Sequence, residues 1–224
     1  MGNLQCGSME KVAIFDIDGT LIKDISSERV FFRYLLRNRI VTFKDLLRYA
    51  GLFLKKLFLF EGVYLRRNKS YIRGKRYELL VAEARKCFEE ELSSHISKSG
   101  TDEINRLKQK GYRIILLTGT LDPIMECFKS YCCADDGIGT TLEMADGNIT
   151  GRIDGIYAYH LGKADIVRKL SENGRIDLAN SYAFANESID VDFMELVGNP
   201  VAVNPDPLLK DHALKEDWRI VEFK

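Results

Sequence analysis

Short apolar runs alternate with amphipathic stretches along this chain, and the alternation predicts its architecture. VAIFDID near the start, YRIILLTG from Tyr112, SYAFAN from Ser181, PVAVN from Pro200 and RIVEF from Arg219 read as strands rich in β-branched and aromatic residues. Helical spacing fills the intervals at about 102–110, 123–130, 163–173 and 190–197. Alternating strands and helices predict an α/β fold built on a Rossmann-like parallel sheet covered on both faces. Ligands of such sheets bind at the carboxyl ends of the strands. TLEMADGNITG breaks the rhythm, with Asp146 and Gly147 as a tight-turn pair between two β-prone arms.

The stretch from about Ser26 to Ser99 follows another pattern, being long, aromatic, basic and helical in period. Within it Leu46, Ala50, Phe53, Leu57 and Phe60 fall on one helical face, and Lys44, Arg48 and Lys55 fall opposite. We expect residues 26–99 to form an α-helical cap inserted into a core made of 10–25 and 100–224, behind a disordered leader at 1–9.

Charge sharpens this division. The whole chain is formally neutral, yet Arg29 to Lys86 holds sixteen Lys or Arg against four acids, which gives +12 and leaves −12 for the remainder. A basic insert on an acidic core suits an anionic substrate or surface, and equally a solvated helical face. Hydrophobic residues make up 46% of the 224, an ordinary share for a folded domain. Leu46 to Phe60, the longest apolar stretch, is interrupted by Arg48, Lys55 and Lys56 and is too short to span a bilayer. The five cysteines show no CxxC spacing and read as reduced thiols in a cytoplasmic protein. There is no internal repeat, no GxGxxG or GxxxxGK[ST] loop and no nucleic-acid-binding motif.

The first strand closes on Asp16 and Asp18, which would share one face of an extended chain. Two like charges brought together need a cation or a hydrogen-bond network. Thr118 ends the run IILL and precedes Gly119, where backbone N–H groups can approach an anion. Lys163 opens a helix after Gly162, placing an ammonium beside a helix N-terminus. Asn186 ends a further strand and Asp190 follows four residues later. Together these residues read as a carboxylate-rich metal site beside a phosphate site.

DIDGT (Asp16 to Thr20), TGT (Thr118 to Thr120), Lys163 and NESID (Asn186 to Asp190) resemble, in order and spacing, the four motifs of the haloacid dehalogenase superfamily of phosphatases. The likeness runs from about Glu10 to Lys224, and the insert is similar to the C1-type helical cap of the phosphoserine-phosphatase-like subfamily IB. The resemblance implies Mg²⁺-dependent hydrolysis of phosphate monoesters through an aspartyl phosphate. By the same resemblance Asp16 is the nucleophile and Asp18 the general acid and base. Thr118, Gly119 and Lys163 hold the phosphoryl group with them. Asp16, the Asp18 carbonyl and Asn186 ligate Mg²⁺, with Asp190 as a ligand or a support.

Three positions depart from the pattern that the resemblance brings. Asn186 stands where the family most often has Asp, so Mg²⁺ binding should weaken. Ile25 stands where the phosphoserine enzymes carry Glu, and Thr120 replaces a second glycine. These departures weaken the case for recognition of a free amino group, and we expect a small phosphorylated metabolite as substrate. The competing reading is a non-catalytic or regulatory module that binds an anionic membrane or protein through its basic insert; transfer of the phosphoryl group to an acceptor other than water would use the same residues.

Overall fold

The computed structural model describes residues 9–57, 67–172 and 175–224, and over 52–57 it describes the backbone only. Residues 1–8 of the expected leader, and the Phe53, Lys55, Leu57 and Phe60 side chains of the expected helical faces, lie outside the described residues.

The strands are β1 (Val12–Phe15), β2 (Arg113–Leu121), β3 (Asp136–Thr140), β4 (Leu142–Ala145), β5 (Asn148–Ile153), β6 (Tyr182–Ala185), β7 (Asn199–Val203) and β8 (Arg219–Val221). Six of them form one parallel sheet in the order β3-β2-β1-β6-β7-β8. The chain winds outward from β1 through β2 to β3, then crosses to the far side of β1 as β6. That reversal opens a crevice at the carboxyl ends of β1 and β6. β4 and β5 pair as the expected hairpin, and Asp146 (φ 50°) and Gly147 (φ 75°) take the left-handed pair of a type I′ turn.

Side chains of the sheet alternate between two cores. Ala13, Phe15, Ile114, Leu116 and Phe184 face one, and Val12, Ile14, Ile115, Leu117, Ala183 and Ala185 face the other. Burial on both faces explains why the central strands read as continuous apolar runs. Phe15 stacks on Phe184 with ring centroids 4.2 Å apart, which locks β1 to β6 beside the crevice.

Among the described residues, three α-helices of the insert follow β1: α1 (Ser27–Arg37), α2 (Phe43–Leu57) and α3 (Tyr77–Cys87). Phe31, Leu35, Leu80 and Ala84 join the same core as Phe15 and Phe128, so the inserted helices share their packing with the sheet. The chain leaves and returns at one place, where Ser97 N donates to Leu21 O at 2.8 Å and Ile22 bridges Ile96. The remaining helices are α4 (Lys98–Gln109), α5 (Asp122–Tyr131), α6 (Leu161–Ser171), α7 (Val191–Met194) and α8 (Pro207–Lys215).

Four expectations change. The inward face of α2 carries Asp45 and Tyr49 beside Leu46, while Ala50 is exposed. Asp45 turns inward because Thr42 and Lys75 satisfy its carboxylate, at 2.9 Å from Thr42 N and 3.0 Å from Lys75 Nζ. β3 is an added strand; its sequence DGIGT offers one apolar residue, enough for a sheet edge and too little to stand out. The helix expected at 190–197 is a single 3₁₀ turn, Ser188–Asp190, followed by the four residues of α7. β1 stops at Phe15, so Asp18 lies in a turn and not on the strand. Cys87, Cys127, Cys132 and Cys133 are free thiols, as expected for those four.

Candidate active site

The carboxyl ends of β1, β2 and β6 open into a cavity of about 670 Å³. Asp16, Asp18, Thr118, Gly119, Lys163, Asn186 and Asp190 all line it, so every residue singled out in the sequence converges on one place. Asp16 N still donates to Phe184 O at 2.9 Å, which carries the strand pairing one residue beyond β1 and fixes the first carboxylate at the sheet edge. Asp18 reaches the cavity from the following turn. Two acids therefore meet there although they do not share a strand face.

Lys163 joins the remote segments. Its ammonium lies 2.7 Å from Asp16 Oδ1 and 3.0 Å from Asp190 Oδ2, and all three side chains are buried. Burial works against the Lys163 charge, but Asp16 and Asp190 outweigh it and hold the ammonium above its ordinary range. For Asp190 burial pushes the carboxyl up while Lys163 pulls it back, and burial prevails. Lys163 sits in the first turn of α6, and Gly162 is part of that turn instead of a break before it. A Cβ at Gly162 would stand 1.9 Å from Tyr157 O, so glycine lets the turn press against the preceding loop.

Asp18 is held differently. Its Oδ1 accepts from Ser27 N at 3.0 Å, at the first residue of α1. Burial nevertheless raises its carboxyl to about 6, with the Ser27 hydrogen bonds opposing the shift and Asp16 adding to it.

Sequence reading missed the placement of three residues. Thr20 is fully buried, and its hydroxyl lies 3.2 Å from Asp16 Oδ2 and 3.3 Å from Asn186 Oδ1, spanning the first and last motifs. Thr120 lines the cavity with a buried hydroxyl that has no hydrogen-bond partner among the described residues. Asp206 secures the Asn186 loop, with Ser188 N donating to its Oδ2 and its own N–H donating to Asn186 O, both at 2.9 Å. Thr20 was inside a quoted motif and passed over as a spacer, and Thr120 was noted only as replacing a second glycine; Asp206 gave no local signal beyond its capping position before Pro207.

No three His, Cys, Asp or Glu side chains cluster as a metal site among the described residues. The donor set here has another composition: a carboxylate on Asp16 and an amide oxygen on Asn186, drawn together by one Thr20 hydroxyl. Hard oxygen donors, few in number and open to a cavity, fit Mg²⁺, which keeps several waters and takes few protein ligands.

Glu28 and Phe32 of α1, Tyr49 of α2, and Lys69 and Tyr71 from the segment before α3 close the other side of the cavity. Lys69 is buried and forms an ion pair with Glu28, which also accepts from the Tyr71 hydroxyl at 3.4 Å.

A doubly wound parallel sheet with a carboxylate–lysine cluster at its switch point, roofed by helices inserted after the first strand, defines a class of α/β hydrolases. A sequence model of the haloacid dehalogenase-like hydrolases matches residues 13–195, and the chain belongs to that family. It is 29% identical over 221 residues to phosphoserine phosphatase SerB1 of Mycobacterium tuberculosis, covering 95% of this chain and 70% of that protein. A crystal structure of a protein of unknown function from Bordetella pertussis Tohama I superposes with TM-score 0.81 at 21% identity, covering 96% of this chain and 99% of that one. A phospho-aspartyl intermediate analogue of phosphoserine phosphatase superposes with TM-score 0.62 at 19% identity, over 97% and 95% of the two chains. The parallel sheet, the family and the hydrolase class expected from the sequence are all borne out.

Proposed function

We propose that the protein is a Mg²⁺-dependent phosphomonoesterase that works through a phosphorylated Asp16. The observation that carries this reading is the placement of Asp16, at the carboxyl end of the first strand, 2.7 Å from the Lys163 ammonium and open to the cavity. An Asp16 oxygen attacks phosphorus, the bond from phosphorus to the leaving oxygen breaks, and Asp18 gives that oxygen a proton. Water then attacks the aspartyl phosphate, Asp18 takes a proton from it, and inorganic phosphate and free Asp16 result. A carboxyl raised to about 6 is suited to both transfers near neutral pH.

Thr118 and the Gly119 N–H bind the phosphoryl oxygens, and the spare Thr120 hydroxyl is available beside them. Lys163 offsets the charge shared by nucleophile and phosphate, while Asp190, bonded to Lys163, holds that ammonium in position. Asp16, the Asp18 carbonyl and Asn186 would hold Mg²⁺, with Asp190 supporting from behind Lys163. When bound, the ion supplies charge neutralisation of the transferring phosphoryl group.

The substrate is a small phosphorylated metabolite met in the cytoplasm. Ile25 in the cavity wall offers no charge for a free amino group, which argues against phosphoserine. Glu28, Lys69 and Tyr71, from the helices inserted at 26–99, are placed to select the leaving group. A phosphate-release screen over phosphorylated metabolites with Mg²⁺, run beside Asp16→Asn, tests the proposal. Release that depends on Asp16, with beryllofluoride trapped on its carboxylate, is the expected result; release undiminished by Asp16→Asn would overturn it.

A further inference from the structure

α2 has two working faces. Tyr49 and Asp45 look inward, Tyr49 lining the catalytic cavity and packing edge-on against Tyr71 with centroids 5.9 Å apart. The outward face carries Phe43 and Leu47, 73% and 56% exposed, one helical turn apart. Lys44 and Arg48 are exposed beside them, Arg48 also pairing with Asp45 at 3.6 Å and donating to Arg73 O at 3.3 Å, which gives a face of two large apolar and two basic side chains. Isolated exposed apolar residues are ordinary, but an i, i+4 pair flanked by cations is the pattern of a helix that lies at a membrane interface. No helix among the described residues is long and apolar enough to cross a membrane, so contact through this face would be peripheral.

Charge decides which occupant fits. The stretch from Arg29 to Lys86 carries +12; Arg33, Arg39 and Arg73 within it are exposed, whereas Arg29 lines the catalytic cavity and Arg67 lies over the ring of Tyr157 there. A second copy docking symmetrically through this face would bring the same positive insert against itself, whereas an anionic bilayer offers opposite charge to the cations and hydrocarbon to Phe43 and Leu47.

We propose that the outward face of α2 docks the protein on an anionic phospholipid bilayer, with Phe43 and Leu47 entering the headgroup boundary while Tyr49 on the opposite face serves the cavity. The docking is separate from the catalytic chemistry and coexists with it.

The test is flotation of the full chain with vesicles of phosphatidylcholine alone or mixed with phosphatidylglycerol, over a range of salt concentrations, for the wild type and Phe43→Ser/Leu47→Ser. Wild type should float with the phosphatidylglycerol vesicles and not with phosphatidylcholine alone, and added salt should weaken but not abolish the binding. The double variant should bind about tenfold or more weakly while keeping its circular dichroism and its activity on a soluble phosphomonoester. Absence of flotation would overturn the proposal, as would flotation indifferent to the two substitutions. Light scattering that shows a dimer dissociated by the same substitutions would assign the face to a second copy and overturn it too. Phosphate release is read separately, so failure of docking and failure of the phosphatase reading remain distinguishable.

Discussion

Lys163 Nζ and Asp16 Oδ1 are 2.7 Å apart, buried at 4% and 5% exposure and separated by 147 positions in the chain. With Asp190 on its other side, the ammonium neutralises one of two buried carboxylates and bonds to both. Removing the cation leaves two uncompensated acids in a confined space. Lys163→Met should therefore cost about 3 to 5 kcal/mol and lower kcat/KM by about a thousandfold or more. Adding Asp190→Asn removes one orphaned charge, so the double variant should regain much of the stability in urea melts and none of the activity. Recovery of activity along with stability would show that Lys163 serves only the fold.

The pH dependence of stability should carry the signature of Asp18. Its carboxyl rises from 3.8 to about 6 on folding, with burial as the first cause. A raised acid favours the protonated folded state, so stability is fully present below the unfolded value of 3.8 and is lost as pH rises through about 6. Asp18→Asn cannot ionise, and its side-chain oxygen can still accept from Ser27 N. The variant should match the wild type at pH 3.5 and exceed it at pH 8 by on the order of 2 kcal/mol, after allowing for screening at a half-buried position. Melts at the two pH values measure the difference, and an equal offset at both would assign the effect to something other than this ionisation. Activity should nevertheless collapse, because the proposed mechanism takes the proton for the leaving oxygen from Asp18.

How far the sequence disclosed this site depended on the range of each signal. Asp16, Thr118 and Asn186 follow apolar runs that can only be strands, so their convergence at one sheet edge follows from parallel topology. Lys163 was legible through the resemblance, but its two hydrogen bonds, to Asp16 and to Asp190, were not, because spacing says nothing about distance across 147 residues. The shared strand face assigned to Asp16 and Asp18 failed because the chain turns at Ile17, and a period-2 argument does not survive a turn. β3 escaped notice because an edge strand with one apolar residue has almost no pattern. Tyr49 and Asp45 displaced Ala50 from the inward face of α2 because polar partners, Lys75 and the ring of Tyr71, reward burying them.

Thr20 offers a direct test of how the proposed Mg²⁺ ligands are held. One hydroxyl has one proton and stands within 3.3 Å of both Asp16 Oδ2 and Asn186 Oδ1. Thr20→Val keeps the shape and removes that contact, so the Mg²⁺ concentration for half-maximal activity should rise about tenfold with a smaller fall in kcat at saturation. Asn186→Asp should act in the reverse direction, adding a charge that tightens Mg²⁺ activation and lowers the metal-free melting temperature through repulsion with Asp16. Metal titrations of phosphate release read both, and an unchanged half-saturation in Asn186→Asp would remove Asn186 from the ligand set.

Gly19 sets the packing beneath Asn186. Its φ of +82° lies in the left-handed region, and a Cβ built there would come within 2.1 Å of Asn186 Nδ2 and 2.5 Å of its Cγ. Gly19→Ala thus meets two separate penalties, backbone strain of about 1 to 2 kcal/mol and displacement of the amide that faces Thr20. The two can be separated by a cycle with Asn186→Ala, since removing the amide opens the space but leaves the strained backbone. Gly19→Ala alone should lose both stability and Mg²⁺ activation. In the Asn186→Ala background the same change should cost only the strain, with no further loss of Mg²⁺ activation. Additive effects in thermal melts and metal titrations would mean that the turn, and not the contact with Asn186, is the reason for glycine at this position.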